Sequence, residues 1–369
     1  MDESAIEITF DGNGNCNYCT EYLRAFDLLG AADRQQGGGA GELEKLVQDI
    51  KLRGRGKPYD CIVGVSGGVD SSWVLVNAVR LGLRPLAVHM DNGWNSNLAV
   101  SNIANLIEEL GVDLFTYVIN WDEYRSLMEA FFAADVIDIE LLYDNALHEV
   151  CYSQAKKYGL RSILSGSNFS TEGLRMPTTW AWESKWDGRN IVNIGRRVGA
   201  KVKTFPLFTT FRWLVYTYVY RIKWVAFLDL LDYRKESALS ALEADYGYTR
   251  YPYKHYESLF TRFYQGYILP RKFGVDKRRV HLSSLVASGQ MSREEAIKDL
   301  EGIPYPSEKE LQIDLKFFLK KMGWSDEKLE QYLARPGRKH SEYGTDLTRA
   351  VVLPITRVVG KILRALGLR

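Results

Sequence analysis

The residues best suited to chemistry lie in VGVSGGVDSSWVL, Val63 to Leu75. An apolar run ends in Ser66-Gly67-Gly68, Asp70, Ser71 and Ser72 follow, and apolar residues then resume. A glycine-rich turn between a strand and a helix is suited to phosphate. Its backbone N–H groups point at the anion, and its glycines let the anion approach closely. The commonest phosphate loop, GxxxxGK[ST], is absent, because no lysine follows the turn and Asp70 stands beside it. The dinucleotide fingerprint GxGxxG is absent as well. The remaining pattern, SGGxDS, is far more specific than a bare pair of glycines.

Such a turn needs a strand before it and a helix after it. Short Val- and Ile-rich runs predict strands at 60–65, 85–91, 113–119 and 161–166. Helical periods predict helices at 42–53, 71–81, 97–110, 121–133 and 145–158. The alternation argues for βαβ units and an α/β, doubly wound parallel sheet, followed by a mainly helical C-terminal region. Ligands of open α/β sheets bind at the carboxyl ends of the strands. The second strand ends at His89, Asp91 and Asn92, where Asp91 could equally be a plain loop-capping acid. The fourth ends in SGSNFSTEG, Ser165 to Gly173. Gly166 and Asn168 there either admit a nucleotide or make an ordinary turn, and Glu172 could reach metal or substrate.

Three segments follow from composition: 1–41, a small Cys16-x-x-Cys19 module with a glycine-rich linker; 42–204, the nucleotide-binding sheet with a Trp-rich insertion; and 205–369, helical. The insertion at 176–200 reads as a lid. The stretch at 205–231 is the most apolar and aromatic, but Arg212, Arg221 and Lys223 interrupt it, so it reads as a buried or partner-facing helix rather than a membrane span. The basic, apolar segment from Thr345 to Arg369 reads as a surface helix, with peripheral membrane contact as the alternative. The first 25 residues lack an apolar core, so no signal peptide is expected. A net charge of +2 gives no argument for nucleic acid, and four cysteines in 369 residues make no disulfide framework. A cytoplasmic setting is expected.

The loop resembles the pyrophosphate-binding loop of the N-type ATP pyrophosphatases, which cleave ATP between the α and β phosphates. With ITFDGNGNCNYC near the start and the block from Lys254 to Ala296, the chain resembles, from about residue 7 to residue 335, the N-acetyl sugar amidotransferases of bacterial surface-polysaccharide biosynthesis. The resemblance implies that Ser66, Gly67, Gly68, Ser71 and Ser72 cradle pyrophosphate and that Asp70 works near Mg²⁺. It implies that the strand edge at His89 and Asp91 holds adenine and ribose. The implied reaction converts an acetamido group of a nucleotide-activated sugar to an acetamidino group, using ATP and ammonia from a separate glutaminase with a cyclase-like channel subunit. Among the cations of the C-terminal block, Lys254, Arg271, Lys272, Lys277, Arg278, Arg279 and His281, some are expected on the phosphates. Lys254 and Arg278 are taken as catalytic cations, and His255 and Glu257 as acid–base or orienting groups. A solvated helix face is the alternative for this run.

The family pattern carries two Cys-x-x-Cys pairs near the N-terminus, suited to zinc, whereas this chain shows only Cys16 and Cys19. Two thiolates do not complete a tetrahedral Zn²⁺ site. A tRNA-thiolating or lysidine-forming enzyme would use the same loop but calls for a catalytic cysteine pair or a basic RNA domain. A third reading is a nucleotide-binding scaffold of a glycan-assembly complex.

Overall fold

The computed structural model describes residues 1–30, 40–180, 184–252 and 256–346. Five parallel strands form one sheet: β1 (Cys61–Gly64), β2 (Pro85–Asp91), β3 (Leu114–Val118), β4 (Ser162–Ser165) and β5 (Lys223–Ala226), in the spatial order β3-β2-β1-β4-β5. Strand side chains alternate between faces, and the core divides accordingly. Ile62, Leu86, Val88, Met90 and Ile163 belong to one apolar cluster with the helices Trp121–Ala133 and Leu141–Lys157. Cys61, Val63, Val65, Ala87 and Leu164 belong to another with the helices Ala40–Gly54, Val69–Arg80 and Lys235–Asp245. Both faces are covered, which is the doubly wound arrangement, and it explains why β1, β2 and β4 read as nearly continuous apolar runs.

The first four strands and their helices fall where periodicity puts them. The fifth does not. The 205–231 stretch is not one helix: it contains the short helix Thr210–Leu214, a wide π turn Val215–Val219, a break and β5. Arg221 takes the left-handed conformation at φ 57°, which stops the helix and turns the chain onto the edge of β4. The sheet therefore draws its last strand from beyond residue 204. In the Trp-rich insertion, Gly188–Arg197 is a helix packed under the sheet's helical layer, with Ile191 and Ile194 buried.

The N-terminal segment packs against the rest. In the helix Asn17–Leu28, Tyr22 stacks on Phe169 at 4.8 Å and its hydroxyl donates to the Ser170 carbonyl at 3.0 Å. Beyond β5 the chain is helical, its main cross-brace being Arg262 on Asp314 at 2.5 Å, with Tyr305 donating to the same carboxylate at 3.0 Å. Among the described residues no helix is long and apolar enough to cross a membrane. Most of the Thr345–Arg369 segment lies outside the described residues.

Candidate active site

The strand order reverses between β1 and β4, and a crevice opens at that point in such sheets. A cleft of about 1020 Å³ lies there, lined by Ser66, Gly68, Asp70 and Ser71 after β1, by Ser165, Gly166 and Ser167 after β4, and by Glu172 and Glu257.

The turn after β1 is held by its own hydroxyls and by two tyrosines. Ser71 Oγ donates to the Gly68 carbonyl at 3.1 Å and accepts from the Ser66 amide at 3.2 Å. Gly67 takes φ 82°, and a Cβ there would stand 2.8 Å from the Ala99 carbonyl, so both its conformation and its surroundings require glycine. Tyr248 and Tyr251 donate to the Gly67 carbonyl at 3.0 and 3.1 Å. Gly68 begins the helix Val69–Arg80 with no side chain capping its first turn. That leaves backbone N–H groups at the positive end of a helix dipole on the cleft wall, the physical requirement for an anion.

Gly166 presses on this turn. A Cβ there would lie 2.8 Å from the Ser71 nitrogen and 3.1 Å from Asp70 Cβ. The small residue after β4 is thus a requirement of close approach. Asn168 is turned to a different use: its Oδ1 caps the short helical turn Phe169–Glu172 through the Thr171 amide at 2.8 Å, and it is buried away from the cleft. Ser72 is likewise buried and off the cleft wall.

His89 and Asp91 do not line the cleft either. His89 Nδ1 lies 2.9 Å from the Val65 carbonyl, which can only accept, so Nδ1 carries the proton and Nε2 accepts from the Asn95 amide at 3.0 Å. Asp91 accepts from the Gly93 amide at 2.7 Å and from Asn95 at 3.2 Å. Both side chains brace the loop after β2, and Asn92 and Asn95 are the groups that edge presents to the cleft.

Asp70 accepts a hydrogen bond from the Tyr233 hydroxyl. Burial first, and the Asp70 charge second, raise the Tyr233 pKa, so the phenol stays protonated and donates. Asp70, Glu172 and Glu257 face one cleft, but among the described residues no three acids or imidazoles converge into a metal cage. Hard carboxylate oxygens near an anion-binding turn suit Mg²⁺ held through one or two carboxylates and the phosphates themselves. Cys16 and Cys19 give no such fit to zinc. Their sulfurs are 3.3 Å apart, and among the described residues they belong to no group of three or more ligating side chains. Burial raises the Cys19 thiol pKa to about 11.

Glu257 reaches the turn through the backbone. Its carbonyl accepts from the Ser96 amide at 2.9 Å, and the Leu259 amide donates to the Trp94 carbonyl at 2.8 Å. This two-rung pairing lays residues 257–259 across the loop after β2 and puts Glu257 Oε1 3.5 Å from where a Gly68 Cβ would be. Lys254 and His255 lie outside the described residues.

Most other cations expected on phosphate are spent elsewhere. Arg278 holds Asp276 at 2.8 Å and the Asp299 carbonyl at 2.9 Å, and it does not line the cleft. Arg271 holds Glu330 at 3.0 Å, Lys272 holds Asp135 at 2.9 Å and Arg279 holds Asp2 at 2.5 Å. His281 Nδ1 lies 3.1 Å from the Thr171 carbonyl. Lys277 does face the cleft, 3.5 Å from Glu140.

Glu140 begins a wall with no counterpart in the sequence reading. It accepts from Gln265 at 2.9 Å. Asp144 and His148 follow on the helix Leu141–Lys157. Lys185, from the Trp-rich insertion, bridges Asp144 at 3.0 Å and buried Asp138 at 2.8 Å. Asn145 fixes that lysine's backbone, donating to the Lys185 carbonyl at 2.9 Å. The insertion read as a lid thus supplies one side of the cleft. An acid or imidazole at a single helical position carries no sequence motif, so periodicity could not have singled these residues out.

Residues 257–353, about a quarter of the chain, match the family described as "LPS biosynthesis protein WbpG-like, C-terminal domain", so this part of the chain is WbpG-like. No curated protein matches. Among solved structures the chain is similar to an NMN synthetase from Francisella tularensis, at 15% identity and a TM-score of 0.30, over 58% of this chain and 98% of that one. It is also similar to an NH3-dependent NAD synthetase from Campylobacter jejuni, at 15% identity and a TM-score of 0.29, over 55% of this chain and 82% of that one.

Proposed function

We propose that the protein is an ATP-dependent ligase of lipopolysaccharide biosynthesis that converts an acetamido group on a nucleotide-activated sugar to an acetamidino group. One observation carries the reading: the uncapped SGGVDSS turn, the β4 end that presses on it and the WbpG-like segment beginning at Glu257 share one cleft at the sheet's switch point.

An amide carbonyl is a poor electrophile and its oxygen a poor leaving group. Attack of that oxygen on the α-phosphate of ATP releases pyrophosphate and gives an O-adenylyl imidate. Ammonia then displaces AMP and leaves the amidine. The chain's part is positioning and preorganised charge. The N–H groups at Gly68–Ser71, with the Ser66 and Ser71 hydroxyls, suit the departing pyrophosphate. Asp70, oriented by Tyr233, suits the Mg²⁺ that offsets its charge. Glu257 stands where the turn meets the second substrate. Free ammonia is mostly protonated near neutral pH, so the reading includes a glutaminase partner that delivers it with a channel subunit. A thiolating enzyme is disfavoured: all four cysteines lie off the cleft, and burial raises the Cys151 thiol pKa to about 12.

The test is incubation with ATP, Mg²⁺, ammonium and a panel of acetamido sugar nucleotides. AMP, pyrophosphate and a product lighter by about one mass unit, as oxygen gives way to NH, are expected. ADP in place of AMP rejects the mechanism, and nucleotide binding without turnover of any acetamido sugar supports a scaffold instead.

A further inference from the structure

We propose that His148 is the general base of the amination step, taking the proton that ammonia must lose once it has bonded to carbon. The inference rests on the reading above and adds a residue to it.

The described histidines sort by their ring nitrogens. His89 has both nitrogens engaged, by Val65 and Asn95. His340 has both engaged, by Asn190 and the Asp138 amide. His281 leans on the Thr171 carbonyl and is off the cleft. His148 lines the cleft, and its Nδ1 lies 2.7 Å from the Asp144 carbonyl. A carbonyl only accepts, so Nδ1 carries the proton and Nε2 keeps its lone pair. No hydrogen-bond partner of Nε2 exists among the described residues.

The ring is held, too. It stacks on Trp224 of β5 at 4.5 Å and on Phe208 at 5.7 Å, with Trp186 edge-on at 6.4 Å. Aromatic neighbours on three sides leave a fixed imidazole with one basic nitrogen, the arrangement a general base requires. The charged groups facing it are Asp144, on its own helix, and Lys185, from the insertion; β5 and the Phe208 segment present rings. Burial, ahead of the Asp144 contacts and with help from Lys185, lowers the imidazole's pKa from its ordinary value, which favours the neutral, basic form.

The proton count closes. The imidate keeps the amide proton on its nitrogen, and ammonia adds to its carbon, forming a C–N bond and a tetrahedral centre whose new nitrogen is an ammonium. His148 Nε2 takes one proton from it. The freed nitrogen lone pair then expels AMP as the C–O bond breaks, leaving an amidinium, and imidazolium returns its proton to solvent. Adenylation needs no such base, so the two half-reactions separate the roles.

The experiment uses the full chain with ATP, Mg²⁺ and UDP-N-acetylglucosamine among the panel of acetamido sugar nucleotides. His148→Asn keeps a donor for the Asp144 carbonyl and lacks Nε2; His148→Gln is the second variant. Both should retain sugar-dependent exchange of labelled pyrophosphate into ATP within about twofold, while amidine formation falls about 100-fold or more. In wild type, the amidination rate corrected for the free-ammonia fraction should show an acid limb with its midpoint below that of a free imidazole, and the variants should lack that limb. Retained exchange also shows that the variants are folded. Amidine formation at the wild-type rate in His148→Asn overturns the assignment, as does finding the split in His255→Asn instead. Absence of exchange in wild type with every sugar nucleotide removes the underlying reading, and the base with it.

Discussion

Gly166→Ala adds one methyl group where the end of β4 presses on the turn after β1. That methyl would meet the Ser71 nitrogen at 2.8 Å, the Asp70 carbonyl carbon at 2.9 Å and Asp70 Cβ at 3.1 Å. Relaxed contacts begin near 3.4 Å, so the first turn of the helix Val69–Arg80 must retreat by roughly half an ångström from β4. Two of these three atoms are backbone, so no rotamer change relieves the clash. Overpacking of this kind costs about 1–3 kcal/mol of folding stability. The functional cost is larger in proportion. The Ser71 N–H belongs to the turn proposed above to hold pyrophosphate, and a displacement near 1 Å at a reacting centre can cost about 100-fold in rate. We expect ATP affinity to fall about tenfold and turnover between ten- and a hundredfold. Gly64→Ala is the internal control, since the added methyl meets only Cys151 Sγ at 3.5 Å, an ordinary contact. It should stay within about 0.5 kcal/mol of wild type. Calorimetric ATP titration and thermal unfolding of the three proteins decide the matter. A Gly166→Ala protein that binds ATP as tightly as wild type and melts at the same temperature refutes the close-approach reasoning.

Two neighbouring cations should separate cleanly. Arg278→Ala strips partners from Asp276 and from the Asp299 carbonyl, so denaturant titration should show a loss of roughly 2 kcal/mol or more with little change in pyrophosphate exchange. Lys277→Ala should unfold as wild type does yet lose at least about tenfold in turnover, because its charge faces the cleft. Glu149 makes stability depend on pH. Burial outweighs the Tyr216 hydroxyl and Arg212 and raises its carboxyl from 4.5 to about 7. The folded state therefore holds the proton more tightly than the unfolded chain. The associated stability is full below pH 4.5 and is lost as pH rises through about 7, a decline on the order of 3 kcal/mol by pH 8. Urea titrations of Glu149→Gln at pH 5 and 8 should show most of that decline removed; an unchanged slope would refute it.

What was legible in the sequence divides along a physical line. β1, β2, β3 and β4 are short apolar runs between helices of clear period, and the signals that bound them are local. Ser96 caps the helix Asn97–Leu110 and Gly111 closes it at φ 59°. β5 was hidden because it follows a long aromatic stretch, and its start is set by one left-handed residue, Arg221, rather than by glycine or proline. The turn after β1 was legible because its residues are neighbours in sequence. Several of the C-terminal cations lie off the cleft for the opposite reason. Lys272 finds Asp135, Arg271 finds Glu330 and Arg279 finds Asp2, partners that periodicity cannot see. The interleaved aromatics did signal burial, there of ion pairs bracing the helices, while Lys277 faces the cleft.

The two walls of the cleft differ in electrostatic kind, and the difference orients whatever binds. The turn wall offers backbone N–H groups, which cost no reorganisation, with the carboxylates of Asp70 and Glu257 beside them, so a phosphate there calls for a cation alongside. The opposite wall sets Asp138, Glu140 and Asp144 against Lys185 and Lys277, an excess of one negative charge. An ammonium ion, or the cationic centre formed when ammonia adds to carbon, would be stabilised by that excess in a site where screening is weak, beside the imidazole that the amination chemistry proposed above needs.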